Sequence, residues 1–473
     1  MTTVSLRRGK ASRIEYNSRR NATSGSAKQL HQQEAEVLEG VSGAKNAGSG
    51  FSLSGFPDRR ASARGIKGQL LEMSEIGSGE SALARQASSS SRRGGRRKET
   101  RVTVPLNDFR AQWRTVGAEV LAAVDRVGAS GWYILGREVE RFESALASTW
   151  GLAHAIGVGN GLDAIEIGLR CLGIRPGDKV LTSPLSAFAT TLAVMRCAGV
   201  PVFVDTDASG LLDLDRCREL LSHDRRIRLV VPVHLYGHCV DLEGLETLRE
   251  EFDLGIVEDC AQAIGARFRG RGVGTVGQVA AVSFYPTKNL GALGDGGAVL
   301  TADEAIARRA RALRHYGQSA TYVHDEAGLN SRLDEVHAAV LGDVFLPRLA
   351  QWTTRRTEVA TRYRSEVRND AVRLVPVPEG SASVWHLFPV LCEARRREAY
   401  RAHLSGAGVS TGIHYPRLIP EQKAMRDYGS YEVHGPLKNA QKLAEGEVSL
   451  PIHPFLSEDD VDRVMSAVRG WAG

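Results

Sequence analysis

The sequence predicts an α/β fold: a mostly parallel sheet covered by helices, followed by a small α+β C-terminal domain. Three observations lead there. From Ala155 onward, short apolar runs alternate with helical patterns. The runs read as strands buried on both faces, as a parallel sheet requires. The first of them, Ala155 to Val158, leads through Gly157-Val158-Gly159-Asn160-Gly161 straight into a helical pattern.

In chain order, folded structure is expected to begin near Val104-Pro105-Leu106. An amphipathic helix follows, with Trp113, Val116, Val120 and Val124 on its apolar side, and Gly136 to Trp150 forms a second around Val139, Phe142 and Leu146. Strands are expected at Ala155 to Val158, Val180 to Thr182, Val202 to Val204, Arg228 to Val233, Gly255 to Val257 with Glu258-Asp259 at its end, Val279 to Phe284 and Ala298 to Thr301. Helices are expected at Leu162 to Leu172, Phe188 to Ala198, Leu212 to Leu221 and Leu242 to Phe252. Beyond Arg332 a long helical pattern runs through Leu333, Val336, Val340 and Val344 to about Tyr363, with an interruption at Pro347. Strand-like Leu387 to Leu391 and helical Arg395 to Leu404 and Glu458 to Val468 complete the chain. The expected domains are 101–345 (large) and 346–473 (small).

Residues 1–100 read differently. They are rich in Ser, Gly and Arg, contain no Trp and show no sustained period, so they predict a disordered basic extension. They hold 18 Lys and Arg against 9 Asp and Glu, which leaves the remainder of this +6 chain at about −3. The basic character therefore belongs to the extension, and a nucleic-acid-binding body is not expected. Met73 offers an internal translation start. No run of eighteen apolar residues and no signal-peptide h-region occurs, so neither a membrane span nor secretion is expected. The six cysteines form no C-x-x-C pair, which fits a reducing cytoplasm and neither a disulfide framework nor a metal site.

The chemistry centres on Ser283-Phe284-Tyr285-Pro286-Thr287-Lys288-Asn289-Leu290-Gly291. Lys288 sits just past an apolar run, where its amine can form a Schiff base with an aldehyde cofactor, and the rest of the chain meets the needs of pyridoxal 5'-phosphate (PLP). The glycine turn ending at Gly161 opens a helix, whose free N–H groups and dipole suit a phosphate. It is not a dinucleotide fingerprint, because Leu162 follows Gly161, and no P-loop occurs. Asp259 closes a buried strand, where a carboxylate can keep a pyridine nitrogen protonated, and Gln262 lies three residues on, within reach of the ring oxygen.

These stretches, together with Ala187-Phe188-Ala189-Thr190, His234-Leu235-Tyr236-Gly237, Asn330-Ser331-Arg332-Leu333-Asp334, Gly412-Ile413-His414-Tyr415-Pro416 and Ser449-Leu450-Pro451-Ile452-His453-Pro454, carry a resemblance. From Val104 to Trp471 the chain resembles the DegT/StrS family of PLP-dependent sugar aminotransferases. The resemblance implies the type I PLP-dependent aminotransferase fold, with Lys288 as the Schiff-base lysine, Asp259 at the pyridinium, Gln262 at the ring hydroxyl, and Gly161 and Leu162 with Ser283 at the phosphate. It further implies Phe188 stacked on the cofactor, Asn330 reaching a neighbouring subunit's phosphate in a homodimer with shared active sites, and His414 and Tyr415 near the substrate. Leu162 and Ala187 stand where the family often has Thr, and Arg417-Leu418 departs from the commoner His after His-Tyr-Pro. The implied reaction moves an amino group from glutamate or glutamine to a nucleotide-linked keto sugar, with the Gly159-Asn160-Gly161 turn favouring a 3-keto sugar. Relatives that regulate or sense, that dehydrate or aromatise, or that aminate cyclitols give the alternatives; the retained Lys288 weighs against the sugar dehydratases.

Overall fold

The structure, a computed structural model, describes residues 104–473. The expectation for 1–100 lies outside the described residues.

The strands that build the sheet are β1 (His154–Val158), β2 (Lys179–Thr182), β3 (Val200–Phe203), β4 (Ile227–Val231) and β5 (Gly255–Asp259), then, after the short hairpin β6 (Arg267–Phe268) and β7 (Arg271–Gly272), β8 (Val279–Ser283) and β9 (Gly297–Thr301). The large sheet runs β1-β9-β8-β5-β4-β2-β3, with Glu432–Val433 added at the β3 edge. All its pairs are parallel except those of β9, which is antiparallel to both β1 and β8. The expected mostly parallel sheet is therefore present. Its strands are apolar on both faces because helices cover both, one core holding Phe142, Ile256 and Phe284 and another holding Ile156, Ile167 and Val299.

Element boundaries moved by one to three residues from the sequence expectation. Two differences have a physical cause. Trp113, expected on the buried side of Phe109–Ser130, is 46% exposed, and the buried stripe is Val116, Val120, Ala123 and Val127. Its indole lies along Gly117, which has no side chain to displace it. The interruption expected at Pro347 is there, as a change of helix type that does not end the run. The chain passes from Glu335–Val340 through a wide π turn, Leu341–Phe345, and a tight 3-10 turn, Leu346–Arg348, into Leu349–Glu366. Pro347 occupies the first turn of that 3-10 segment, where no N–H is needed.

A second antiparallel sheet joins Val372–Leu374, Phe388–Cys392 and Glu447–Leu450. It has its own core around Tyr363, Phe388, Tyr400 and Val464, into which Val104 packs from the other end of the described chain. A third, minimal sheet pairs the β6–β7 hairpin with Ser381–Ala382.

Candidate active site

The site forms where β5 and β8 end. These strands are parallel neighbours, with Asp259 beside Ala281. The chain leaves β8 into a tight loop closed by Ala292 N–H donating to the Phe284 carbonyl at 2.7 Å and Lys288 N–H donating to the Tyr285 carbonyl at 2.8 Å. Gly291 is required here, because a Cβ would lie 2.3 Å from the Pro286 oxygen. The loop is anchored by buried Phe284, edge-on to Phe142, and by buried Asn289, whose amide donates to the Val384 carbonyl at 2.8 Å. Lys288 thus rides on a fixed base. Its amine makes no hydrogen bond or ion pair among the described residues, and burial pushes its pKa down to about 8 against the opposing pull of Asp259.

Asp259 faces this amine from the end of β5 and is 5% exposed. Its carboxylate accepts from the Thr190 hydroxyl at 2.8 Å and from Ala261 N–H at 3.1 Å. Its neighbour Glu258 points the other way and is a brace. It accepts N–H groups of Gly274, Val276 and Gly277 at 2.7, 2.8 and 2.6 Å and pairs with His234 at 2.9 Å. Although His234, Glu258 and Cys260 lie within 4.8 Å of one another, this bonding already fills the carboxylate of Glu258.

Gln262 is held at both ends: its oxygen accepts from Tyr236 N–H at 2.9 Å and its amide donates to the Tyr415 hydroxyl at 3.1 Å. Tyr415, expected at the substrate, therefore also orients Gln262. His414 is fixed by its N–H to Glu447 at 2.6 Å and by its Nδ1 against the Ser449 hydroxyl at 2.8 Å. Burial and the Lys288 charge pull its pKa down to about 4, so its ring is neutral at pH 7.

The glycine turn is wedged between strand ends. A Cβ on Gly161 would sit 2.7 Å from the Ser283 Cβ, and one on Gly297 would sit 2.5 Å from the Asn160 carbonyl carbon. Asn160 caps the helix Gly161–Cys171 by accepting Asp163 N–H at 2.8 Å. The N–H groups of Gly161 and Leu162, at the first helical positions, have no intrahelical acceptor and open beside Ser283. Phe188 begins the helix that carries Thr190 to Asp259 and packs partly against Phe203, Ile419 and Met425. Asn330 is exposed, while its neighbour Ser331 ties that segment to the turn by donating to Asp163 at 2.7 Å and accepting Gly159 N–H at 2.9 Å.

The structure thus brings Lys288, Asp259, Gln262, Ser283, Gly161 and Leu162 to one end of the sheet. It leaves Asn330 on the surface of the chain. Three contributors escaped the sequence reading: Thr190, which bonds Asp259 across 69 residues, Glu447, and buried Arg356. Thr190 stands two residues after Phe188, and that helical adjacency was the available signal.

An unpaired lysine amine, a buried carboxylate opposite it and a helix-start cradle fit an aldehyde cofactor with a ring nitrogen and a phosphate. Fold and site together define a PLP-dependent enzyme of the aminotransferase class. The chain belongs to the DegT/DnrJ/EryC1/StrS aminotransferase family, whose sequence pattern matches residues 114–469. It is 42% identical to the erythromycin biosynthesis sensory transduction protein EryC1 of Saccharopolyspora erythraea, over 78% of this chain and 100% of that protein. It is also 42% identical to the dTDP-3-amino-3,4,6-trideoxy-alpha-D-glucose transaminase of Streptomyces venezuelae, over 78% of this chain and 96% of the relative. The crystal structure of NtdA from Bacillus subtilis, with bound cofactor PMP, superposes with a TM-score of 0.68 at 28% identity, covering 77% of this chain and 82% of NtdA. The cofactor is PLP.

Proposed function

We propose that this enzyme moves an amino group from L-glutamate or L-glutamine to a nucleotide-linked keto sugar, with C3 as the accepting carbon. The carrying observation is the unpaired Lys288 amine facing Asp259. Support for the acceptor comes from the 42% identical transaminase, whose name specifies a 3-amino sugar on dTDP. Lys288, Asp259, Gln262, Gly161, Leu162, Ser283, Phe188 and Asn330 are assigned to the cofactor, and His414 and Tyr415 to the substrate side.

Bound PLP supplies an electron-withdrawing ring that makes the donor Cα–H acidic. The protein's part is positional. Asp259, held in place by Thr190, is the group that would keep the ring nitrogen protonated. N–H groups of Gly161 and Leu162 with the Ser283 hydroxyl hold the phosphate. Lys288 Nζ, partly neutral near pH 7 because of its burial, would take a proton from the donor Cα and, in the reverse half-reaction, give one to the acceptor carbon. His414, neutral, offers an uncharged ring to the acceptor. Asn330 acts across the interface of a cytoplasmic homodimer, where it meets the other subunit's phosphate.

The name of the EryC1 relative raises a sensory reading, in which PLP binds without turnover. Two assays separate these. The first adds L-glutamate to the PLP-loaded enzyme and follows conversion to the amine form; the second offers that form dTDP- and UDP-linked 3-keto and 4-keto sugars. Conversion followed by amination of a 3-keto sugar is expected. An unchanged spectrum with glutamate and glutamine contradicts the enzyme reading.

A further inference from the structure

A short chain of hydrogen bonds runs from a buried carboxyl to the ring of His414. Glu447 is 0% exposed and, among the described residues, forms no ion pair. Its Oε2 accepts the backbone N–H of His414 at 2.6 Å, and its Oε1 lies 2.5 Å from the Ser449 hydroxyl. That same hydroxyl meets His414 Nδ1 at 2.8 Å. From the other side the Tyr236 hydroxyl donates to the His414 carbonyl at 2.8 Å, so the ring is held in place. Its second nitrogen, Nε2, has no hydrogen-bond partner among the described residues, and the ring is near enough to Lys288 for the lysine charge to lower its pKa.

A serine hydroxyl has one proton, so Ser449 cannot donate to both neighbours. When Glu447 is ionised, Ser449 donates to Oε1 and accepts from Nδ1–H, which leaves Nε2 with a bare lone pair. When Glu447 is protonated, Oε2 is already engaged by a backbone N–H, so the acid proton sits on Oε1 and points at Ser449. Ser449 then donates to Nδ1, and the neutral ring carries its proton on Nε2. Between the two forms the Oε1 proton passes to the serine oxygen, the serine proton passes to Nδ1, and the Nε2 proton leaves to water.

The surroundings favour the protonated carboxyl at pH 7, because burial pushes the Glu447 pKa up to about 8. Arg397 and Arg401 of the helix Arg397–Gly406 pull it down, but both are engaged elsewhere: Arg397 donates to the Ala444 carbonyl at 2.5 Å, and Arg401 to Glu398 at 2.9 Å and Thr411 at 3.3 Å. Tyr236, Tyr415 and Cys392 also face the carboxyl, and each is held neutral by burial. We propose that Glu447 and Ser449 are positioning residues that set which nitrogen of His414 carries the ring proton, so that at neutral pH His414 presents an Nε2–H donor to an oxygen of the keto sugar. This rests on the assignment of His414 to the substrate side.

Histidine labelled with 15N in the PLP-loaded protein reports the tautomer, with His414→Gln identifying the signals. In wild type Nδ1 is expected to be bare at about pH 6.5 and protonated at about pH 9.5, with Nε2 changing the opposite way. In Glu447→Gln the side-chain oxygen keeps the His414 N–H and the amide only donates to Ser449, so the ring should stay in the first form throughout. In the second half-reaction, run from the amine form, the KM for the keto sugar nucleotide should rise about tenfold from pH 7 to pH 9 in wild type and less than about twofold in Glu447→Gln. Lys288 titrates in both proteins and cancels from the comparison. A carboxyl that only braces the loop would leave one tautomer and parallel pH profiles. A single tautomer in wild type across the range therefore overturns the proposal, as does a Glu447→Gln protein that follows wild type in either measurement. Should the variant not fold, the wild-type tautomer decides alone. An amine form that aminates no keto sugar while the tautomer still switches would count against the acceptor assignment and not against the control of the ring proton.

Discussion

Thr190 is the one side chain among the described residues that donates to Asp259, and it is itself bonded to Ser186 at 3.0 Å. A hydrogen bond to a charged group contributes about 1.5–3 kcal/mol, so Thr190→Val should loosen the carboxylate proposed to hold the cofactor's ring nitrogen. The expected result is PLP binding weakened about tenfold or more, measured by spectroscopic titration, with the melting temperature of the cofactor-free protein little changed. Lys288, Asp259, Gln262 and Gly161 were singled out in the sequence by local patterns, a strand end, a helix start and a turn, and Ser283 by the resemblance alone. Thr190, Arg356 and Glu447 were not. Their importance comes from partners far along the chain.

Two elements carry predictions. The glycine turn before Gly161–Cys171 leaves no room at its last position, where a Cβ would lie 2.7 Å from that of Ser283. Gly161→Ala should force this contact apart at a cost of about 1–3 kcal/mol and weaken PLP affinity while leaving the sheet intact, read from PLP titration alongside circular dichroism. The strand Glu447–Leu450 begins with a fully buried carboxyl. Burial pushes its pKa up to about 8, against the stabilising Ser449 hydroxyl and His414 N–H. The folded state therefore binds a proton that the unfolded state releases, so this group's contribution is greatest at low pH and is lost as pH rises from about 4.5 to about 8. Glu447→Gln, which has no charge to bury, should be more stable than wild type at pH 9, with the difference shrinking toward pH 5 in denaturant titrations. Elements with a clear period were readable: β1 to β5, β8 and β9 of the large sheet were all expected, whereas its two-residue edge strand Glu432–Val433 and the β6–β7 hairpin outside it are too short to show alternation. The interruption expected at Pro347 is present as the π and 3-10 turns between two α-helices, and what sequence alone could not show is that proline sits in a first turn there, from which the helical run resumes.

At the scale of the whole molecule, Trp132, Tyr133, Tyr285, Leu293, Tyr316 and Tyr322 are all exposed, as is Asn330. The proposed homodimer, in which Asn330 meets the neighbouring phosphate, predicts complementation. Lys288→Ala and Asn330→Ala should each be impaired alone, whereas hybrids formed by mixing them should regain one complete site, since one subunit then supplies the lysine and the other the asparagine. No gain on mixing, with a monomer in sedimentation, would remove the shared-site proposal. Among the described residues no helix is long and apolar enough to cross a membrane.

The central claim is that the Lys288 amine performs the chemistry, and its most direct measurement is the visible spectrum of the PLP-loaded protein before and after L-glutamate. Wild type should show an absorption band from the lysine–cofactor linkage that glutamate abolishes, and Lys288→Ala should show neither the band nor amino transfer. A Lys288→Ala protein that still transaminates at the wild-type rate would contradict the account.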